Sequence, residues 1–199
     1  MKLALASTTA AAALLLTGCA TKNDARYIDS QGPQTIVSLN QINIQDWNSA
    51  AEKLVAQLLA SNVLDRAPEL PAVMAVSRIR NNTGVQVDTD NLTKNIRIAL
   101  NQTGKIVTTT TLGPDGRVED PMAAEVGAMQ AFMAGEKQKT VLPYYTLSGK
   151  LLDDKVTSGS TQQVTYTFQL SLTTTRDGLA VWEGQQQITK QGRRSSVGW

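Results

Sequence analysis

The spacing of apolar residues along the chain predicts three helices. Apolar residues over 47–59 recur with helical period, and Asp46 just before them is expected to cap that first helix. A second helix is predicted over about residues 88–103, where apolar residues again fall on one face. A third begins at Asp120, because Pro121 then takes the first helical position, where its missing N–H costs nothing.

Five further segments have strand character, being β-branched, threonine-rich or alternating in polarity. Asp177-Gly178 is a strong signal for a tight hairpin between the last two of them. The order of helices and strands predicts a single α+β domain with a mixed four- to five-stranded sheet and about three packed helices. The predicted strands are 72–79, 105–111, 142–152, 163–175 and 179–190.

The N-terminal segment carries the pattern of a lipoprotein signal. A positive start is followed by an apolar run over residues 3–16, which is shorter than the about 20 residues of a membrane span and suits a secretory signal. The sequence Leu-Thr-Gly-Cys ends at Cys19, the one cysteine of the chain. We therefore predict a signal peptide over 1–18 and lipidation of Cys19 by diacylglycerol and a further acyl chain such as palmitate. The alternative is an ordinary cleaved signal peptide with an incidental cysteine.

The remaining chain is predicted to form a flexible tether at 19–44, a globular domain at 45–191 and a polar tail at 192–199. Fully stretched, a tether of about 25 residues reaches about 80 Å. Within it, residues 35–44 alternate in polarity and could form an edge strand or an extended arm. Ala20 after the cysteine, where an aspartate often retains bacterial lipoproteins in the inner membrane, favours the outer membrane.

The amino-acid composition excludes several kinds of binding site and catalytic site. The chain has 19 basic and 17 acidic residues, a balance that does not predict nucleic-acid binding. It has no histidine, which excludes serine–histidine and cysteine–histidine nucleophile pairs. Zinc sites built on histidine or on several cysteines are also excluded, because the chain has no histidine and one cysteine. We therefore expect no catalytic residues, no metal, no cofactor and no enzymatic activity.

Two groups of residues are candidates for contact with a partner. Arg78 and Arg80 alternate at the exit of the predicted central strand, beside a loop that begins with Asn81 and Asn82. These four residues could form a small polar recognition patch, or they could be solvated charges at a strand end.

The second group is a stripe of large apolar residues on the predicted third helix. We expect this stripe to lie in the core, as such stripes usually do. The alternative is an adaptable binding face, since methionine repacks readily around different partners. Its residues are Met122, Val126, Met129 and Met133.

Several short patterns, taken in order, resemble one known family. Over about residues 46–190 the chain resembles the LpoB family of outer-membrane lipoproteins that activate class A penicillin-binding proteins, within the wider TolB N-terminal-like group. The matching patterns are Asp46-Trp47-Asn48-x-Ala50, Asn81-Asn82-x-Gly84, Ile96-Arg97-x-Ala99-Leu100-Asn101-x-x-Gly104-Lys105, Phe168-Gln169-Leu170-x-Leu172, and Gly178 through Trp182-x-Gly184.

The resemblance implies a domain that hangs from the outer membrane into the periplasm and docks on a class A penicillin-binding protein. Docking would stimulate peptidoglycan synthesis, and with it the maintenance of cell shape, without cofactor or catalysis by this chain. Two features depart from the family: the tether is short and holds only Pro33, and residues 112–142 fit poorly. A peptidoglycan-binding envelope lipoprotein and an oligomeric secretion or assembly accessory lipoprotein remain alternatives.

Overall fold

The computed structural model describes residues 25–30, 32–112, 118–136 and 141–193. The predicted signal peptide, Cys19 and residues 194–199 of the predicted tail lie outside them. Within the described residues the elements are α1 (Ile44–Ala60), a 3₁₀ turn (Val63–Arg66), β1 (Ala72–Asn82), α2 (Thr89–Gln102), β2 (Ile106–Thr108), α3 (Pro121–Met133), β3 (Tyr145–Ser158), β4 (Thr161–Thr174) and β5 (Ala180–Arg193).

The five strands form one mixed sheet in the order β2-β1-β3-β4-β5. Strand β1 pairs in parallel with both β2 and β3, while β4 is antiparallel to both β3 and β5. Parallel neighbours need a crossover, and α2 supplies the one between β1 and β2. The prediction of an α+β fold with a mixed five-stranded sheet is confirmed.

One face of the sheet holds the core. Alternate residues of β4 are buried, and their neighbours on the opposite face are polar. Helix α1 packs over β5 and α2 over β1, both on the buried face. At the centre, the rings of Trp47 and Phe168 meet edge to face with centroids 6.1 Å apart. The buried residues of β4 are Val164, Tyr166, Phe168, Leu170, Leu172 and Thr174.

Helix α1 begins earlier than the sequence predicts. Its N-cap is Asn43, and Asp46 is the third helical residue and not the cap. The backbone N–H of Asn43 donates to Asp46 Oδ2 at 2.7 Å, so the aspartate reaches back to the start of the helix in a capping box. An acidic side chain can stabilise a helix either as its N-cap or from its first turn, so Asp46 does not by itself fix the first residue of α1. The prediction therefore placed the start of the helix too late.

Residues 35–43, here called the strap, lie along the domain before α1. No residue of the strap is in a β-strand, so the edge-strand alternative is wrong. Bends at Thr35 and Gln41 and a turn at Leu39 and Asn40 make the strap an irregular segment and not an extended arm. Leu39 and Ile42 pack partly buried against the core, and the Tyr166 hydroxyl donates to the Leu39 carbonyl at 3.3 Å. The predicted tether at 19–44 therefore includes a stretch that contacts the domain.

The strap is held by a buried lysine near the end of β5. Lys190 is only 9% exposed, and its Nζ donates to the carbonyls of Ser38 at 3.1 Å and Gln41 at 2.9 Å. It also bonds to Asn43 Oδ1 and pairs with the buried carboxylate of Asp46. These contacts join the strap, the first turn of α1 and the last strand.

Helix α3 differs from the predicted core helix, because none of its residues is buried. Met122, Met129 and Met133 are 73%, 65% and 80% exposed, so the core interpretation of the methionine stripe is wrong. The segment is attached through Glu119, which pairs with Lys94 at 3.2 Å and with Arg97. Burial lowers the pKa of Arg97.

Replacing Lys190 with Met should destabilise the domain by about 3–5 kcal/mol, because the change leaves the Asp46 carboxylate buried without its cation. Urea unfolding followed by tryptophan fluorescence measures this directly. Lys53→Met, on the exposed side of α1, is the matched control and should stay within about 0.5 kcal/mol of the unchanged protein. A loss equal to the control's would contradict a structural role for this ion pair.

Candidate functional site

The polar face of the sheet holds an open groove of about 990 Å³. It runs over β1, β3, β4 and β5, on the side away from α1 and α2. Its lining is polar and basic with one carboxylate: Ser77, Arg78, Arg80, Ser148, Gly149, Lys150, Gln169, Leu170, Ser171, Glu183, Gly184 and Gln185.

An irregularity in β1 directs its arginines into the groove. Val76 pairs with Leu147 and Ile79 with Gly149, so β1 uses one more residue than β3 over this interval. Val76 and Ile79 are both buried, with two residues between them in place of the usual one. Both of these residues, Ser77 and Arg78, line the groove on the polar face. Such bulges re-aim side chains while strand pairing resumes beyond them.

Two cross-strand rows form the groove floor. In one, Ser148 lies opposite Ser171 and Ser171 opposite Glu183, with the serine hydroxyl donating to the glutamate at 2.9 Å. In the other, paired residues run from Arg80 on β1 to Gln185 on β5, and the Gln169 amide donates to Gln185 Oε1 at 3.2 Å. The members of this second row are Arg80, Lys150, Gln169 and Gln185.

Charge is unevenly distributed along the groove. Arg80 and Lys150 are exposed at the β1–β3 end and form no ion pair or hydrogen bond with a described residue. Glu183 on β5 lies three strands from Arg80 and two from Lys150, distances of about 15 Å and about 10 Å at the usual strand spacing. Because the polar side chains near Glu183 bond to one another, the basic end offers the free ionic contacts of this surface.

Glycine is required where β3 and β4 approach closely. A Cβ at Gly149 would lie 2.6 Å from the Gln169 carbonyl oxygen and 2.7 Å from a Leu170 methyl carbon. A larger residue would push the two strands apart under the middle of the groove. Gly149 therefore lets β3 and β4 lie close together next to Lys150 and Gln169.

The four candidate partner residues divide into two pairs. Arg78 and Arg80 line the groove, as a recognition patch would require, whereas Asn81 and Asn82 do not. Asn81 builds the loop after β1: its amide donates to the Val85 carbonyl at 2.8 Å, and its Oδ1 accepts from the Thr83 N–H at 3.0 Å. Asn82 is exposed at the end of the strand.

Sequence reasoning missed the remaining groove residues, which are Ser77 on β1 and residues of β3, β4 and β5. The available signal was the alternation along β4, since Gln169 and Ser171 must point away from the buried Leu170 and Leu172. What the alternation could not give is strand order. The pairing of Lys150 with Arg80 depends on β3 lying next to β1, which no local pattern specifies.

The described part of the chain contains no cluster of three or more aspartate, glutamate, cysteine or histidine side chains that could hold a metal. No helix in the same residues is long and apolar enough to cross a membrane. The lining of the groove offers hydrogen bonds and positive charge, and these features define an α+β domain whose open sheet face is suited to binding.

The chain belongs to the family described as peptidoglycan-synthase activator LpoB, which matches residues 46–188. This family is one of activators of a synthase. The matched range covers the first helix through most of the last strand and includes the whole groove.

Solved structures are also similar to the chain, at low identity. The LpoB C-terminal domain from Salmonella enterica is 17% identical, with 72% of this chain and 98% of that chain covered and a TM-score of 0.44. The NMR structure of Escherichia coli LpoB is 15% identical over 96% of both chains, with a TM-score of 0.42. Lipoprotein GNA1162 from Neisseria meningitidis is 16% identical over 64% of this chain and 88% of that one, with a TM-score of 0.40. No curated protein matches the chain.

Replacing Gly149 with Ala should destabilise the domain by about 1–3 kcal/mol, because the added methyl group overlaps the Gln169 carbonyl. Ser148→Ala, one residue earlier and exposed, is the control and should change stability by less than about 0.5 kcal/mol. Thermal unfolding of both variants tests this. Equal stability of the two would mean that the strands accommodate the methyl group and that the glycine is dispensable.

Proposed function

We propose that this chain is a lipid-anchored activator that docks on a class A penicillin-binding protein in the periplasm and uses the groove as its contact surface. Membership of the activator family carries the first part of this proposal. The second part is supported by the position of Arg80 and Lys150, two adjacent exposed cations without a partner among the described residues.

The groove chemistry selects a partner surface with carboxylates. Arg80 can hold a carboxylate with two parallel hydrogen bonds, and Lys150 adds a compact positive charge beside it. Gln169 and Gln185 extend the same row with donors and acceptors, which suit a polar loop or strand of the synthase. An acidic patch of the synthase therefore fits the β1–β3 end of the groove.

Activation would be conformational. The chain supplies no catalytic group to the synthase, so its effect must come from binding one state of the synthase more tightly than another. A tenfold preference for the active state corresponds to about 1.4 kcal/mol, which one or two ionic contacts can supply.

The strap limits the reach of the anchored domain. If the acyl chains are on Cys19, residues 19–34 are the part of the tether that precedes the strap, and about 16 residues extend at most about 55 Å. This is shorter than the about 80 Å of a tether that is free up to the first helix. The strap must therefore lie within that distance of the outer membrane, and the acidic patch of the proposed partner within that distance plus the width of the domain.

Reversing both cations, in Arg80→Glu with Lys150→Glu, should weaken binding to the synthase at least about tenfold and reduce its stimulation accordingly. Binding is measured with the purified synthase at low salt, and stimulation by its rate of glycan polymerisation. Lys53→Glu on α1 makes a charge reversal away from the groove and should leave both unchanged.

Unchanged binding in the groove variant, with stimulation retained, would place the contact elsewhere on the domain. Strong sedimentation of the domain with purified peptidoglycan, abolished by the same substitutions, would instead favour direct wall binding. These two results separate the docking proposal from its main alternative.

Replacing Cys19 with Ser should abolish acylation, leave the residues before it uncleaved by the lipoprotein peptidase, and release the protein from the outer membrane. Several acyl chains account for stable anchoring, since each buried CH₂ contributes about 0.8 kcal/mol. Mass spectrometry of the protein purified from membranes checks the modification, and an unacylated Cys19 in the unchanged protein would refute the anchor.

A further inference from the structure

The last strand of the sheet has a free outer edge. In the order β2-β1-β3-β4-β5, the two outer strands are β2 and β5. Strand β2 is 3 residues long, whereas β5 is 14 residues long. Among the described residues, β5 forms backbone strand pairing with β4 alone. Its other side therefore presents unpaired backbone groups along most of its length.

The backbone hydrogen bonds at the end of β4 show which residues of β5 face outward. The N–H of Thr174 donates to the Leu179 carbonyl, toward β5. The N–H of Thr175 donates to the Tyr144 carbonyl, toward β3. Because successive residues of a strand bond to opposite sides, the even-numbered residues of β4 bond toward β5.

The register carries this alternation into β5. From Trp182 to Gly192, even-numbered residues of β5 lie opposite even-numbered residues of β4 and bond to them. The odd-numbered residues therefore direct their backbone N–H and C=O groups away from the sheet. One of these carbonyls, that of Gln187, accepts instead from the Gln186 side-chain amide at 2.9 Å. The outward-facing residues are Glu183, Gln185, Gln187, Thr189, Gln191 and Arg193.

This edge lacks the features that keep exposed strands from pairing. Such features include proline, a bulge, and an unpaired charge that points inward. Residues 183–193 contain no proline, and their pairing with β4 is regular, since the one irregularity lies before them. Lys190 points inward, but its charge is already paired with Asp46. An added strand would therefore bury no unpaired charge.

The position of α1 selects the kind of strand that can pair there. Of the five strands, β5 lies closest to α1, and Gln57 near Gly184 and Asp46 at Lys190 place the helix along it. If β5 of a second copy paired with this edge, the two α1 helices would lie on the same side of the joined sheet, about 5 Å apart. Packed helices need about 8–10 Å between their axes. A segment that carries no helix on this face avoids the clash.

The edge borders the groove, so one partner can contact both. Glu183 and Gln185 face outward with their backbone and line the groove with their side chains. On the opposite face of β5, Trp182 and Ile188 are only partly buried. An added strand would therefore place polar side chains beside the groove and apolar side chains beside Trp182 and Ile188. The segment that fits is extended and alternates polar with apolar residues.

We propose that the outer edge of β5 takes an extended segment of the synthase as a sixth strand. This rests on the proposed docking of the chain on a penicillin-binding protein. Backbone hydrogen bonds along β5 supply affinity, as they do when other domains add a peptide strand to a sheet edge. The cations of the groove, Arg80 and Lys150, then select the surface of the synthase beside that segment.

Amide hydrogen exchange tests the pairing directly. In the full chain alone, kept in detergent, the outward N–H groups should exchange fast and those of the even-numbered residues between them slowly. With a saturating amount of purified synthase, the N–H groups of Gln187, Thr189 and Gln191 should exchange at least about tenfold more slowly. Mass spectrometry with electron-transfer fragmentation resolves these single residues.

A proline at an outward position tests the backbone without removing a hydrogen bond inside the domain. Gln187→Pro deletes one outward N–H and should weaken binding to the synthase at least about tenfold. Gln187→Ala removes the same side chain but keeps the N–H, and should bind within about twofold of the unchanged protein. Cooperative thermal unfolding of both variants checks that the proline is accepted at the edge.

The results separate this inference from the proposed function. Synthase that binds while the outward N–H groups still exchange fast overturns the edge pairing and leaves docking through the groove intact. Equal binding of Gln187→Pro and Gln187→Ala has the same meaning. Protection that appears without synthase as the protein concentration rises would assign the edge to a second copy. A synthase that does not bind the chain refutes the docking and, with it, the sixth strand.

Discussion

The domain depends on burying one face of its sheet and leaving the other in water. In β4 every second side chain from Val164 to Leu172 is apolar and buried, and α1 and α2 cover that face. The other face can lie in water because the backbone groups of the strands are already paired within the sheet, which is antiparallel from β3 to β5. The polar face can therefore bind other molecules without disturbing the buried core. On this face the β1 bulge brings Arg78 and Arg80 beside Lys150.

Local pattern predicted the fold well, because burial on one face imposes periods that can be read residue by residue. The strand β4, the apolar side of α1 and the order of the elements were all predicted correctly. The groove was predicted in part: Arg78 and Arg80 come from the strand that local sequence identifies, while Lys150 joins them through the neighbouring strand. Contacts between segments far apart in the sequence produce no periodic pattern of residues. The strap and its hydrogen bonds to Lys190 were therefore not predicted.

The methionine stripe shows where periodicity misleads. A seam of large apolar residues has the same spacing whether it packs in its own domain or against another molecule. The three surfaces are separate: the strap lies at β4 and β5, α3 follows β2 at the other edge, and the groove spans the face between them.

The attachment of the strap also decides how mechanical tension would enter the domain. A pull on the N-terminal end meets the bonds from Lys190 to the Ser38 and Gln41 carbonyls before it reaches α1. Because Lys190 also pairs with Asp46, the force divides between the first helix and the last strand. Tension on the N-terminal segment would therefore load the edge strand β5 and the first turn of α1 together, and not the helix alone.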